Sequence, residues 1–189
     1  RTHKSFGEST DLFVASYGPD DTLLWASTYG GTHKEYLNRA IPTSDSGYLV
    51  SGGSQSMFFT AMKVFSPERE PRPIALKLDA AGAIEWAMTI DDSGMEFRDV
   101  IQMRDGTYLF VGDWWDWRTG ESDNWDAYAV KVSAQGALVW AFRYDASLID
   151  AAFGVQEDVD SSAVIAGYTK SDQGSANLLM LKIDRTGRP

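Results

Sequence analysis

The feature that most constrains the fold of this 189-residue chain is an internal repeat of about 50 to 60 residues. One segment recurs three times and ends each time in tryptophan: GPDDTLLW (18–25), DAAGAIEW (79–86) and SAQGALVW (133–140). A fourth copy, DRTGRP (184–189), stops short of the tryptophan position. The segments IALKLD, YAVKVS and LMLKID precede the last three copies and place lysines at 77, 131 and 182. A fixed period of this size predicts a repeat architecture.

A second segment also recurs, as NRAIPTSDSGYLVSGG (38–53), RDVIQMRDGTYLFVGD (98–113) and GVQEDVDSSAVIAGY (154–168). Each copy has the pattern of a strand, a tight turn and a strand, with β-branched and aromatic residues where strands favour them. Asp105-Gly106 predicts a two-residue hairpin turn, and Ser46-Gly47 and Ser161-Ser162 occupy the same place. No stretch keeps a helical period of 3.6 residues, so we expect little helix.

Each repeat therefore holds four short strands, predicted in one copy at 38–45, 48–53, 74–79 and 83–90. Four-stranded units of this length are typical of β-propeller blades, and the alternative is an antiparallel sandwich. We predict an all-β propeller of four-stranded antiparallel blades, in a single domain over 1–189. The blades are expected at 11–30 (partial), 36–90, 97–144 and 152–189 (incomplete). Because closed propellers have four to eight blades, an arc of about three is expected to be a fragment or to be completed by other chains.

The motif D-A-A-G-A-I-E-W resembles the tryptophan-docking motif of quinoprotein-like (PQQ-type) propellers. The whole unit is also similar to tandem propeller repeats of bacterial surface and envelope proteins. Asp21 replaces the motif glycine in the first copy, and Ser133 replaces the motif aspartate in the third. The repeated residues are predicted to pack between blades: Trp25, Trp86, Trp140, Gly82 and Gly136. The resemblance implies a periplasmic, cell-surface or extracellular location in a bacterium.

Composition excludes several kinds of function. The net charge of −10 disfavours binding to a nucleic acid backbone. The absence of cysteine excludes thiolate metal sites and cysteine nucleophiles, and two histidines cannot form a three-histidine metal site. No apolar run approaches the roughly 20 residues of a membrane-spanning helix. No nucleophile elbow or phosphate-binding loop is present, so we predict no catalytic residues and no cofactor.

The loop lengths predict that one side of the sheets carries the long loops; we call this side the elaborated face. Loops between second and third strands, such as 54–73, 113–126 and 169–177, are long, whereas the other hairpin turns are short. The long loops emerge on the same face as the connections between blades. Functional residues are concentrated on loops held by a rigid scaffold, so we expect binding on this face.

The loop 113–126 is rich in tryptophan and acidic residues. Its aromatic residues could bind a sugar ring or an apolar protein surface, or could pack within their own blade: Trp114, Trp115, Trp117 and Trp125. Its carboxylates suit Ca²⁺, but the Asp-x-Asp-x-Asp-Gly spacing is missing, so they are weak calcium candidates and no metal site is predicted: Asp113, Asp116, Asp123 and Asp126.

The stretch MFFTAMKVF (57–65) is an apolar segment inside a surface loop. It is expected to contact a protein partner, or to fold back on its own blade as a short helix or strand, through Met57, Phe58, Phe59 and Phe65. The leading hypothesis is a non-enzymatic scaffold for protein–protein interaction or assembly in a bacterial envelope or extracellular complex. The alternatives are a carbohydrate-binding module that uses the tryptophan loop and a fragment of a quinone-dependent dehydrogenase.

Overall fold

A computed structural model describes residues 10–31, 33–56, 58–59, 62–63, 72–90, 94–115, 125–171 and 174–189, with the backbone alone at 58–59 and 62–63. The chain divides into two compact units, Arg1–Asp91 and Asp92–Pro189. No helix occurs in the described residues, and therefore none that is long and apolar enough to cross a membrane. The prediction of an all-β fold is confirmed for this part of the chain.

The first unit contains a hairpin and a four-stranded antiparallel sheet. Its strands are β1 (Leu12–Tyr17), β2 (Leu23–Tyr29), β3 (Glu35–Pro42), β4 (Tyr48–Ser54), β5 (Phe58–Phe59), β6 (Met62–Lys63), β7 (Arg72–Leu78) and β8 (Ile84–Thr89). β1 pairs with β2, and the larger sheet has the order β3-β4-β7-β8. The apolar stretch after β4 contains the small antiparallel hairpin β5-β6.

The second unit contains a four-stranded and a three-stranded antiparallel arrangement joined in one sheet. Its strands are β9 (Met95–Gln102), β10 (Tyr108–Trp115), β11 (Trp125–Val132), β12 (Leu138–Tyr144), β13 (Ile149–Glu157), β14 (Ala163–Lys170) and β15 (Ala176–Ile183). β9 to β12 pair in chain order, as do β13 to β15. A single parallel pair, Trp125 with Ile149, joins β11 to β13.

The observed strands begin and end close to the predicted ones. The sequence predicts a strand over 38–45, whereas β3 covers Glu35–Pro42. The strand ends earlier because Asp45 lies in a turn, where its Oδ1 accepts the Thr43 hydroxyl at 2.5 Å and the Gly47 N–H at 3.0 Å. Aspartate favours such local bonds to the backbone over a place in a strand ladder.

The predicted two-residue turn at Asp105-Gly106 is wrong. Met103 N–H bonds to Thr107 O at 2.8 Å, and Gly106 N–H bonds to Met103 O at 2.9 Å. In this turn only Gly106 has positive φ. This is a three-residue loop that ends in a left-handed residue, the G1-bulge form of hairpin. The same hydrogen-bond pattern recurs in the turns at 43–47 and 158–162, where Ser46 and Ser161 adopt the positive φ.

In each unit one repeated tryptophan of an outer strand bonds to a distant turn: Trp25 on β2 to the turn 79–83, and Trp140 on β12 to the turn 184–188. In the first unit, Trp25 Nε1 donates to Ala80 O at 2.8 Å and Tyr29 OH donates to Gly82 O at 2.5 Å. In the second, Trp140 Nε1 donates to Arg185 O at 3.2 Å and Tyr144 OH donates to Gly187 O at 2.9 Å. The repeat predicts that Trp25 and Trp140 pack between blades, and each of them contacts a turn that lies far from it in the chain.

The repeated aspartate shapes the turn onto which the tryptophan docks. Asp79 Oδ1 accepts the N–H groups of Ala81 and Ala83 at 2.9 and 2.8 Å. Ser133, which replaces the aspartate, accepts the two equivalent N–H groups through Oγ, each at 3.2 Å. The serine therefore preserves the turn, and Gly136 keeps its positive φ of 79°. Trp86 is half-buried on β8.

The repeated lysines are structural. Lys77 Nζ lies 2.8 Å from an Asp45 carboxylate oxygen and 2.7 Å from a Glu85 oxygen. Lys131 pairs with Asp105 at 3.1 Å. Lys182 pairs with Asp158 and Asp160 at 2.7 and 3.0 Å. In each sheet the lysine of the third strand thus holds the turn between the first two.

Candidate metal centre

In each unit, long loops and connections between sheets meet at one edge. In the first unit, Gln55 N–H after β4 donates to Lys34 O before β3 at 2.9 Å. In the second, Trp115 N–H at the end of β10 donates to Gly94 O at 2.9 Å, and Trp125 N–H donates to Leu148 O at 3.3 Å. The described ends of the long loops lie at this edge, which is where the loop lengths predict an elaborated face.

Three carboxylates converge at this edge of the second unit. Asp126 lies on β11 opposite Trp114, Asp145 directly follows β12, and Asp150 lies on β13 opposite Thr169. One carboxylate oxygen from each residue lies within 4.8 Å of the other two. We call this group the Asp126–Asp145–Asp150 cluster.

Two of the three carboxylates are buried and incompletely hydrogen-bonded. Asp150 is fully buried, and its Oδ2 accepts the N–H groups of Ala146 and Ser147, each at 2.7 Å. Asp126 is 2% exposed. No donor contacts Oδ1 of Asp126 or Oδ1 of Asp150 in the described part of the chain. Nearly every buried polar atom in a folded protein has a partner, so two unsatisfied oxygens in one cluster are unusual.

Arg143 compensates part of the negative charge. Its Nε lies 3.3 Å from Asp126 Oδ2, and its guanidinium carbon lies 4.7 Å from the ring centre of Trp114. Burial raises the pKa of Asp126, Arg143 opposes the rise, and Asp145 and Asp150 add to it. Burial is therefore the main cause of the raised pKa, and the charges of Asp145 and Asp150 act against that of the arginine.

The cluster opens onto a pocket of about 470 Å³ in the second unit. Arg143, Asp145 and Asp150 form part of its polar wall, while Phe142 and Leu181 belong to its apolar wall. Asp145 is the exposed member of the cluster, and a solute in this pocket can reach it.

The first unit has residues at the equivalent positions, and there the buried carboxylate has hydrogen-bond donors on both of its oxygens. Asp11 directly precedes Leu12, which pairs with Tyr29, as Asp126 directly precedes Ala127, which pairs with Tyr144. The parallel bridge between Thr10 and Lys34 matches the Trp125–Ile149 pair, so that Glu35 corresponds to Asp150.

Glu35 is surrounded by donors. Its Oε1 accepts the hydroxyls of Ser54, at 3.0 Å, and Ser56, while its Oε2 accepts Gly31 N–H at 3.1 Å. Burial raises the pKa of Glu35, these hydrogen bonds oppose the rise, and Asp11 adds to it. At the position of Asp145 the first unit has Gly30, where a Cβ would lie 2.1 Å from Asp11 Oδ1. The first unit therefore holds two carboxylates, and the second holds three.

Of the two described acidic residues that were singled out in the loop 113–126, Asp113 and Asp126, only Asp126 belongs to the cluster. Asp113 is buried and its Oδ1 lies 2.6 Å from Arg98 Nε, so an arginine already neutralises it. Asp116 and Asp123 lie outside the described residues. Sequence reasoning missed Asp145 and Asp150, although aligning YGGTHKE (29–35) with YDASLID (144–150) places Asp150 opposite Glu35 and Asp145 opposite Gly30.

The aromatic residues of that loop divide between the sheet and its edge. Trp114 is 9% exposed and so cannot contribute to an exposed aromatic platform. Trp115 and Trp125 are half-buried and stack on each other with ring centres 6.2 Å apart. Trp117, Met57 and Phe65 lie outside the described residues. Phe58 and Phe59 form β5, where only the backbone is described.

The fold and the site define an all-β protein of antiparallel sheets with a carboxylate cluster where β11 meets β13. No family model matches the chain. No curated protein matches it either.

Proposed function

We propose that the protein is a non-enzymatic scaffold, an arc of β-propeller blades that assembles with further sheets of its own kind in a bacterial envelope or extracellular complex. The observation that carries this proposal is the exposure of apolar sheet faces. On the β1-β2 hairpin, Phe13, Tyr17 and Leu24 are exposed. On the β13-β14-β15 sheet, Phe153, Leu178 and Met180 are exposed.

These exposed faces carry large apolar side chains, as do the opposite faces of the same strands, which pack on the core. The opposite face of the β1-β2 hairpin packs Leu12, Val14 and Trp25 against the core of the first unit. The opposite face of β15 packs Leu179 and Leu181 against the core of the second. Contiguous apolar patches on a soluble protein mark interaction sites. The occupant that fits best is another sheet of the same repeat, because sheets of this repeat already pack through such faces.

The β13-β14-β15 sheet also has an open edge. It is the three-stranded end of the sheet formed by β9 to β15, whereas β9 to β12 and β3-β4-β7-β8 each comprise four strands, and β15 pairs only with β14 in the described residues. An unpaired edge strand can hydrogen-bond to a strand of another chain. We therefore propose a second copy of the chain as the partner.

The test is the oligomeric state of the purified chain and two variants, measured by size-exclusion chromatography with light scattering and by native mass spectrometry. Wild type is expected to self-associate over the micromolar range. Leu178→Glu is expected to dissociate the assembly, because Leu178 is 81% exposed in the monomer and a glutamate there is buried unpaired in the interface.

The matched control is Val159→Glu, which introduces the same charge at an exposed turn residue away from this sheet face. It is expected to assemble as wild type does. A wild-type chain that stays monomeric would contradict the proposal, as would a Leu178→Glu variant that assembles like the control.

A further inference from the structure

We propose that the Asp126–Asp145–Asp150 cluster is a calcium site that ties β11 to β13. This inference goes beyond the scaffold role and does not depend on it. The ion would join residues of two strands that pair only through Trp125 and Ile149, together with the connection between β12 and β13.

The spacing of the oxygens suits Ca²⁺. Two oxygens that bind one calcium ion at 2.3–2.6 Å lie no more than about 5 Å apart. The carboxylate oxygens of the cluster meet this limit, because they lie within 4.8 Å of one another. Mg²⁺ requires a tighter, near-octahedral arrangement at about 2.0–2.1 Å, whereas Ca²⁺ accepts wider and less regular spacing. The cluster contains no histidine or cysteine, so its donors are oxygens of the kind that calcium prefers over zinc.

The buried oxygens without donors are the second observation. Oδ1 of Asp126 and Oδ1 of Asp150 have lost contact with water and have no described donor in its place. A buried ionised carboxylate is destabilising unless it is paired or binds a metal. Among the described residues, Arg143 alone forms an ion pair with the cluster, leaving two of three negative charges uncompensated. A divalent cation supplies the missing charge.

In the first unit the equivalent buried carboxylate is stabilised by hydrogen bonds and needs no cation. In the first unit, two serine hydroxyls and a backbone N–H satisfy Glu35, and Gly30 removes the third carboxylate. In the second unit, Thr169 lies at the position of Ser54 and bonds to Ser147, and Asp145 adds a charge. The second junction thus keeps hydroxyls, on Thr169 and Ser147, but these bond to each other and to Lys170 O, while Asp150 Oδ1 has no described donor and Asp145 is an additional acid.

The experiment is terbium luminescence excited through tryptophan, since Trp114 and Trp125 lie beside the cluster, followed by displacement of Tb³⁺ with Ca²⁺ and with Mg²⁺. Wild type is expected to bind Ca²⁺ with a Kd of about 10⁻⁴ to 10⁻³ M, the range of extracellular calcium modules. Asp145→Asn is expected to weaken calcium binding at least tenfold. Asp145 is exposed, so this variant keeps the fold. Asp20→Asn removes the same charge from an exposed turn and is expected to bind as wild type does.

A second variant separates metal binding from general stability. Asp145→Lys removes one carboxylate and places a lysine ammonium group beside the remaining two. Its melting temperature without calcium is expected to exceed that of wild type, and added calcium is expected to raise the melting temperature of wild type only. The proposal is overturned if Asp145→Asn and Asp20→Asn bind calcium equally, if Mg²⁺ displaces terbium better than Ca²⁺, or if calcium stabilises Asp145→Lys as much as wild type.

Discussion

At the residue scale, the repeated glycine of the outer hairpin turn has two roles that the sequence motif does not separate. It adopts positive φ, which favours glycine, and it lies under an aromatic ring of another strand. At Gly82 an added Cβ would lie 2.7 Å from the Trp25 ring. At Gly106, in an inner turn, the φ is the same 82° but an added Cβ meets no atom within 4 Å.

Because Gly82 and Gly106 have the same φ and only Gly82 lies under a ring, substituting each of them measures how much the packing of Trp25 on Gly82 contributes to the free energy of unfolding. Gly106→Ala is expected to cost about 1 kcal/mol of unfolding free energy, the price of a left-handed alanine. Gly82→Ala is expected to cost about 2–4 kcal/mol, because the methyl group also displaces the Trp25 ring. Urea unfolding measures both values. If the two substitutions lowered the free energy of unfolding equally, the packing of the Trp25 ring would not require glycine at position 82.

At the element scale, an ion pair between a strand and a turn organises each sheet. The hydrogen bond from Lys77 is the largest of the effects that lower the pKa of Asp45 to about 2, and the Thr43 hydroxyl acts in the same direction. Burial alone would lower the pKa of Lys77, but its bonds to Asp45 and Glu85 outweigh burial and raise it. Both shifts favour the charged pair in the folded state.

The Asp45 shift predicts part of the acid sensitivity. An aspartate with a folded pKa below its unfolded value of about 3.9 stabilises the fold above that pH, and the stabilisation is lost as the pH falls toward 2. Asp45→Asn is expected to be less stable at pH 7 and to lose less stability between pH 4 and 2. The effect is modest because Asp45 is half exposed. Urea unfolding at successive pH values measures it, and parallel curves for the two proteins would contradict it.

At the scale of the whole molecule, one joint recurs in both units: a tryptophan and a tyrosine of an outer strand bond to the carbonyls of a turn in another sheet. Burial raises the pKa of Tyr144, and nearby Asp184 adds to the rise, so that this hydroxyl stays a hydrogen-bond donor. The joint adds two hydrogen bonds to the core contacts that also hold each unit together.

Trp140→Phe tests the contribution of one joint. It removes the N–H that donates to Arg185 O and part of the ring beside Gly187. The expected loss of unfolding free energy is about 1–2 kcal/mol. Val139→Ala truncates the exposed neighbour on β12 and is expected to cost less than about 0.5 kcal/mol. A Trp140→Phe variant as stable as Val139→Ala would mean that the joint does not hold the unit together.

Much of the architecture was predictable because its causes are local. Aspartate, serine and glycine at fixed places specify hairpin turns, and alternating apolar residues specify strands between them. The repeat of Trp25 and Trp140 with Gly82 and Gly187 carried the docking geometry, since identical units meet in identical ways. The turn at Asp105-Gly106 was mistaken because dipeptide composition does not distinguish a two-residue hairpin from a three-residue hairpin with a G1 bulge.

The sequence by itself therefore determined the order of strands and turns and singled out the repeated lysines and tryptophans, but not the turn residues with which they pair. Only the tertiary structure decided which carboxylates meet. Asp126, Asp145 and Asp150 converge because β13 pairs with β11 through one parallel contact and the connection 145–148 folds over that contact. Asp113, close to Asp126 in the chain, points to Arg98 instead. Neighbouring residues of a strand face opposite sides of the sheet, so which of them joins a site depends on how the sheets are joined.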